Sequence, residues 1–438
     1  MRVPAALARA TFPGPVLSVL RRLADAGHRS WLVGGAVRDL LLHRPREAQD
    51  FDVATPATPP QVISLFPRVI PTGIDHGTVT VLMGKAMVEV TTFRGEGEYV
   101  DGRRPESVVF HGDLTEDLAR RDFTINALAF DPLQHELRDP FDGRADLRRR
   151  LLRAVGDPRE RFAEDGLRAM RAVRFAAQLG YDLHPRTRAA IPGALDVVRK
   201  VSTERIAEEL SRLIVAPHAE RGLELMRRTG LFGVVLPAVG RLPPAAQRHC
   251  VSGMDALPPE AEPRFAWLLH RALGPAEAAR ALFELRLARR VADGAGALLR
   301  LHACALDDAP LGEPGGGPGL RRWLAEGGRE RAGALVALRA VEARACPSRH
   351  RRAAQRAVRS FAWAIARELE RRPPLSIGEL ALDGRGLMDL AGADSGAWIG
   401  ETLRHLLDRV LVDPSCNTPE RLGVLARAYW AGRGPPVR

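Results

Sequence analysis

Strand-forming residues are concentrated near one end of this chain. Val, Ile and Tyr become sparse after residue 130, while Ala, Leu and Arg are abundant there. β-Branched and aromatic side chains suit a pleated, half-buried surface, whereas Ala, Leu and Arg favour helices. The expected fold class is therefore α+β: a small mixed α/β head within the first ~150 residues, then an all-helical remainder. At 438 residues the chain is too long for one core. Its 45% hydrophobic fraction is that of a globular protein and excludes general disorder.

Local patterns fill in this outline. Val16, Val19, Leu20 and Leu23 have helical spacing, ending at Gly27. Residues 31–33 predict a strand that breaks at Gly34-Gly35 into a helix over 36–42. A strand over 51–54 follows, then a short helix over 61–66. Two strands over 78–83 and 87–92 are joined through Gly84-Lys85, a hairpin signal. Residues 92–104 are polar and Gly-rich, so a mobile loop is expected. Apolar stripes predict helices over 146–152, 161–179, 185–191, 203–213, 219–229 and 261–272. A Pro/Gly-rich linker spans 307–319, and helices resume over 320–345, 351–371 and 398–412.

Net charge is +12, and of 65 basic residues only Lys85 and Lys200 are lysines, leaving 63 arginines. The arginine bias is equally consistent with genome composition, but the net sign suggests a polyanionic partner. No strongly apolar amphipathic face accompanies the charge, so nucleic acid fits better than a membrane. Cys250, Cys304, Cys346 and Cys416 are far apart, with neither metal-ligand spacing nor a disulfide framework. No apolar run is long enough to span a bilayer, and a cytoplasmic protein is expected.

Three clusters carry chemistry. In the first, Asp50 and Asp52 flank Phe51. Strand alternation puts both carboxylates on one face and Phe51 on the other. Two such carboxylates resist joint ionisation unless a cation sits between them. Nearby, the Gly34-Gly35 helix start, with Arg38, offers N–H groups to an anion. Hard oxygen donors suit Mg²⁺, which can bridge a triphosphate. Glu89, a charge within the apolar strand 88–90, is either a third carboxylate beside this pair or an edge charge facing water. The second cluster is Arg120-Arg121-Asp122-Phe123-Thr124-Ile125-Asn126. Its arginines can clamp phosphate oxygens and Asn126 can read a sugar hydroxyl.

The third cluster is Glu164-Asp165-Gly166-Leu167-Arg168, with Arg171 and Arg174, all expected on one helix. Asp165 and Arg168, three apart, would be surface neighbours. Steps of three drift by about 60°, carrying Arg174 well away from Asp165. Arg171 and Arg174 lie among apolar residues, where unpaired guanidiniums are costly, so part of the row should face substrate. Cytosine and adenine both present an amino donor beside a ring acceptor. An Asp–Arg pair matches that pattern, whereas uracil and guanine reverse it.

In ordered blocks, the chain closely resembles class II tRNA nucleotidyltransferases of the DNA polymerase beta-like superfamily. The blocks are Leu32-Val-Gly-Gly-Ala-Val-Arg-Asp39 with Asp50-Phe-Asp52, Arg120 to Ala127, Asp139-Pro-Phe-Asp-Gly143, and Glu164 to Arg168 with Arg171-Ala-Val-Arg-Phe175. The resemblance implies template-independent addition of C, C and A to tRNA 3′ ends from CTP and ATP. It also implies Mg²⁺ on Asp50 and Asp52, and triphosphate binding by Gly35, Arg38 and Arg121. Asp165, Arg168, Arg171 and Arg174 would form the nucleotide pocket. The implied segments are a lead-in (1–28), a nucleotidyltransferase head (29–146), a neck (147–215), a body (216–319) and a tRNA-binding tail (320–438). Residues 91–105 resemble the flexible loop that CC-only relatives lack, which leaves an A-adding enzyme as the alternative. The stretch 66–81 lacks the basic signature of bacterial poly(A) polymerases. A catalytically silent RNA-binding protein is the alternative from another class, against which Asp50 and Asp52 argue. No His-Asp dipeptide occurs, His270 being followed by Arg271, so phosphatase activity is not expected.

Overall fold

The computed structural model describes residues 3–44, 51–74, 77–94, 113–304, 317–327 and 329–431. Asp50, most of the expected loop over 92–104 and most of the expected linker over 307–319 lie outside the described residues. The chain divides into two compact units, Met1–Arg241 and Leu242–Arg438, a boundary inside the segment expected over 216–319.

In the first unit, strands β1 (Trp31–Val33), β2 (Asp52–Thr55), β3 (Val69–Gly73), β4 (Thr78–Met83), β5 (Ala86–Thr92), β6 (Ala129–Asp131) and β7 (Glu136–Arg138) form one sheet, in the order β3-β4-β5-β2-β1-β6-β7. Only the β2–β5 pair is parallel. Both faces are covered. Leu32, Val53 and Phe130 share one face, on which Phe12 packs against Phe51 and Phe130 with ring centroids 6.2 and 5.9 Å apart. Trp31, Val33, Ala54 and Ala129 belong to the core on the other face, with Phe93, Leu118 and Val155. The Gly14–Asp25 helix buries Val16, Val19, Leu20 and Leu23, the stripe read from the sequence. The hairpin through Gly84-Lys85 is β4–β5.

Strands do not stop with the head. Leu151–Leu152 (β8) pairs in parallel with Asp182–Leu183 (β9), and the helix expected over 146–152 is instead Gly143–Arg149. The helix expected over 161–179 is broken into Pro158–Glu164 and Leu167–Leu179. Asp165 between them is extended (φ −143°, ψ 106°), and its carboxylate accepts the Leu167 N–H at 3.0 Å, a local bond that competes with helix continuation. At Gly166 a Cβ would stand 2.6 Å from the Val198 backbone nitrogen, so only glycine allows this approach. The Thr203–Ile214 and Ala219–Thr229 helices also belong to this unit.

The second unit is helical. It includes Pro244–Val251, Ala261–Leu269, Arg289–Cys304, Pro318–Gly327, Ala332–Ala345, Ser348–Glu370 and Ala397–Val412. The helix expected over 320–345 is thus interrupted. Leu320, Leu324, Phe361, Ile365 and Leu411 form one of its cores. Leu387, Leu406, Val410 and Leu422 form another. No helix among the described residues is long and apolar enough to cross a membrane.

Candidate active site

The site forms where β1 turns into the Gly35–Leu41 helix. Gly34 makes the turn at φ +71°, a conformation glycine adopts without a Cβ clash. A Cβ there would stand 3.0 Å from Arg121 Nη1 and 3.9 Å from Asp52 Oδ2. A guanidinium and a carboxylate therefore converge over this turn.

Asp52 opens β2, and its register partners are Val33 on β1 and Glu89 on β5. Phe51 is buried while Asp52 is exposed, as alternation requires. Directly paired strand residues point to the same face, so Asp52 and Glu89 stand side by side. Partial burial and then the Asp52 charge push the Glu89 carboxyl above its usual range, with Arg94 opposing. Glu89 is thus beside Asp52 on an inner strand of the sheet, not an edge strand, and its side chain is exposed. A crowded set of hard oxygen donors fits a small divalent cation.

Arg121 is held from below by Asp117, whose carboxylate is fully buried. Asp117 accepts from Arg121 Nη2 at 3.1 Å and from Arg120 Nε at 2.9 Å. Burial works against ionising Asp117, but Arg121 and Arg120 outweigh it and hold its pKa down. Arg121 Nε is buried with no hydrogen-bond partner among the described residues. The Nη1 end of the same guanidinium is the part that meets the Gly34 turn, where an anion could be bound.

The other arginines and amides of the expected site are engaged with protein. Arg38 is buried, with its fork on Asp39 (2.8 and 3.1 Å) and Nη1 donating to Asn126 Oδ1 at 2.6 Å. Asn126 Nδ2 in turn donates to Asp122 Oδ1 at 3.0 Å. Asp122 Oδ2 accepts from Arg171 Nε at 2.8 Å, and the ion pair brings Arg171 Nη2 within 2.7 Å of the same oxygen. Burial would raise the Asp122 pKa, yet Arg171 and Asn126 hold it low. Arg174 donates to Glu209 on the Thr203–Ile214 helix and to Gln178. The guanidiniums of Arg38, Arg171 and Arg174 surround the Phe175 ring at 5.2, 5.4 and 3.8 Å from its centroid. Such cation–π contacts supplement the ion pairs.

The expected Asp165–Arg168 side-chain pair is not assembled, because the helix that would have aligned it is broken. Arg168 donates to Glu164, to the Arg161 carbonyl at 3.0 Å and to the Arg120 carbonyl at 3.0 Å. Asp165 accepts from Arg205 Nη2 at 2.8 Å. The two residues still meet through the backbone, Arg168 N–H donating to the Asp165 carbonyl at 3.0 Å.

A CCA-adding enzyme of Geobacillus stearothermophilus is 38% identical over 406 residues, which cover 93% of this chain and 94% of the relative. This chain belongs to the CCA-adding enzyme family. A CCA-adding enzyme of Lactobacillus helveticus is 49% identical over 215 residues, covering 49% of this chain and 53% of its own. The crystal structure of Bacillus stearothermophilus CCA-adding enzyme in complex with CTP superposes with a TM-score of 0.73 at 34% identity, covering 96% of this chain and 98% of that one. Family models for the poly A polymerase head domain and for the probable RNA and SrmB-binding site of polymerase A match residues 30–153 and 180–241. CCA-adding enzymes are tRNA nucleotidyltransferases, so the class read from the sequence blocks holds. The first span contains Gly35, Arg38, Asp52, Glu89, Arg121 and Asn126, whereas Asp165 to Arg174 fall between the two spans.

Sequence reasoning assigned no role to Asp117, Asp122, Arg205 or Glu209. Asp117 was findable, lying three and four residues before Arg120 and Arg121 at helical spacing. The partners Glu209 and Arg205 come from another helix, with no local signal.

Proposed function

We propose that this member of the family adds C, C and A to tRNA 3′ ends from CTP and ATP, without a nucleic-acid template. The carrying observation is the Asp52–Glu89 pair beside Arg121 over the Gly34 turn, in a chain similar along nearly its whole length to CCA-adding enzymes. In this reading the tRNA 3′-hydroxyl attacks the α-phosphate, its O–P bond forms, and pyrophosphate leaves with the broken bond. Asp52, with Asp50 and Glu89, would hold Mg²⁺, which supplies charge neutralisation and a more acidic attacking hydroxyl. Arg121, braced by Asp117, binds the triphosphate. Gly35 lines the turn, and Arg38 and Asn126 tie that turn to Asp122 and Arg171 behind it.

Base selection in this proposal falls to Asp165 and Arg168 through an exchange of partners. Asp165 would release Arg205 to accept from the amino group of C or A, and Arg168 would release Glu164 to donate to the ring nitrogen. Arg171 and Arg174 hold the helix that carries Arg168 and that Asp165 precedes. The basic surface serves the tRNA. On the Ser348–Glu370 helix Arg349, Arg352, Arg356 and Arg359 are exposed at spacings of three and four, with Trp363, 53% exposed, one turn further on. That spacing makes one charged face for a phosphate backbone. A cytoplasmic location is part of the same proposal.

Incubating the purified protein with tRNA lacking CCA and labelled CTP or ATP tests this. CTP followed by ATP should be incorporated. ATP added only to tRNA already ending in CC would establish the A-adding alternative, and no incorporation would favour a silent RNA-binding protein. Arg168→Ala should lose discrimination against UTP and GTP; unchanged selectivity would overturn the assignment of the pair.

A further inference from the structure

The second unit holds a cluster for which the nucleotidyltransferase reading has no use. His249 lies on the Pro244–Val251 helix, His270 caps the Ala261–Leu269 helix, and Glu342 lies on the Ala332–Ala345 helix. One ligand atom from each lies within 4.8 Å of the others. Glu342 Oε2 is 3.1 Å from His249 Nε2 and 3.6 Å from His270 Nε2. A tetrahedral ion with bonds of 2.0–2.1 Å has ligand–ligand edges of about 3.3 Å, between those two distances.

Three further features favour an ion over a hydrogen-bonded cluster alone. His270 Nδ1 lies 2.5 Å from the Trp267 carbonyl, the outer contact that leaves Nε2 unprotonated and facing its partners. The Trp267 ring stacks on His270 at 4.3 Å and fixes its plane. His302, on the Arg289–Cys304 helix, is only 4% exposed, and neither of its ring nitrogens has a hydrogen-bond partner among the described residues. Its ring stands edge-on to His270, with centroids 6.1 Å apart. Buried polar atoms left without partners are costly, and an ion would supply one.

We propose that His249, His270 and Glu342 bind a structural divalent ion of the zinc class, with His302 turning in as fourth ligand. Imidazole and carboxylate donors suit Zn²⁺, and four protein ligands close the site against catalysis. Arg271 is the competing cation. It donates to His270 Nε2 at 3.2 Å and to Glu342 Oε1 at 2.8 Å. Its side chain is half exposed, so it can release His270 to the ion while keeping Glu342 Oε1. The ion would join four helices of this unit, independently of the carboxylates in the head.

Full-length protein stripped with a chelator, loaded with Zn²⁺ and desalted should retain one zinc per chain. Asp52→Ala should retain it equally. His270→Gln and Glu342→Gln should each weaken binding by at least the roughly 10–100-fold that loss of an outer partner costs. Arg271→Ala should tighten binding, a gain that misfolding cannot imitate. Failure to retain zinc, zinc lost in Asp52→Ala, or zinc indifferent to His270→Gln and Glu342→Gln would each overturn the proposal. Should those two variants fail to fold by circular dichroism, unchanged or weaker binding in Arg271→Ala would overturn it as well.

Discussion

Asp52 and Glu89 set two carboxylates side by side on the sheet, the Asp52 charge adding to burial in making Glu89 harder to ionise, whereas on the helical side the acids are matched to guanidiniums. There Glu164 meets Arg168, Asp122 meets Arg171, Glu209 meets Arg174, and Asp165 meets Arg205. The difference separates what the two regions contribute. Like charges held together by a rigid sheet cost stability and create affinity for a cation. Paired charges on helices hold those helices in place, and removing one partner leaves the other buried and uncompensated. The sheet side should therefore be sensitive in the rate of transfer and tolerant in folding, and the ion-paired helical side sensitive in folding, with Asp165 and Arg168 acting on base choice and not on rate.

The largest effect should come from the sheet side. Asp52→Ala should lower nucleotide incorporation by about 10³-fold, several kcal/mol of transition-state stabilisation at roughly 1.36 kcal/mol per decade. Its thermal midpoint and tRNA binding should stay near wild type. Activity within tenfold of wild type would break the metal assignment, and a large fall in midpoint would break the contrast. Next, Asp122→Ala should cost about 3 kcal/mol of unfolding free energy, the low end for a broken buried pair because Arg171 is one-third exposed. Urea unfolding measures this, and a loss no greater than that of an exposed control substitution would place Asp122 with the chemistry instead.

The smallest effect is the one that best sharpens the comparison, because the two regions should respond to pH with opposite signs. The folded-state pKa of Asp122 is depressed, so its pairing contributes stability above the unfolded value near ~3.9 and loses it as pH falls through the folded value. The folded-state pKa of Glu89 is raised, so stability present below the unfolded value near ~4.3 is lost as pH rises through the folded value. In metal-free buffer Glu89→Gln should raise the thermal midpoint at neutral pH, and the gain should vanish below about pH 4.3. Added Mg²⁺ should stabilise wild type more than Glu89→Gln. A midpoint lowered at neutral pH by the same substitution would mean that Glu89 is a paired structural charge like Asp122.

Local pattern was enough to read the division into a mixed sheet and a helical remainder, the strand–glycine–helix turn at Gly34, the β4–β5 hairpin and the outward face of Asp52. Each of these depends on residues within a few positions of one another, where period and turn chemistry act directly. Tertiary structure decided the rest. The stripe over 161–179 is continuous in sequence, but Gly166 lies against the backbone at Val197 and Val198, and that approach breaks the helix. The two-residue strands β8 and β9 pair across two intervening helices and are too short to show a period. Asp122 finds Arg171 49 residues away, and Glu209 finds Arg174 35 residues away. Hydrophobic period reports which face of an element is buried; the partner of a buried charge is set by which other element packs there, and only the folded chain brings the two together.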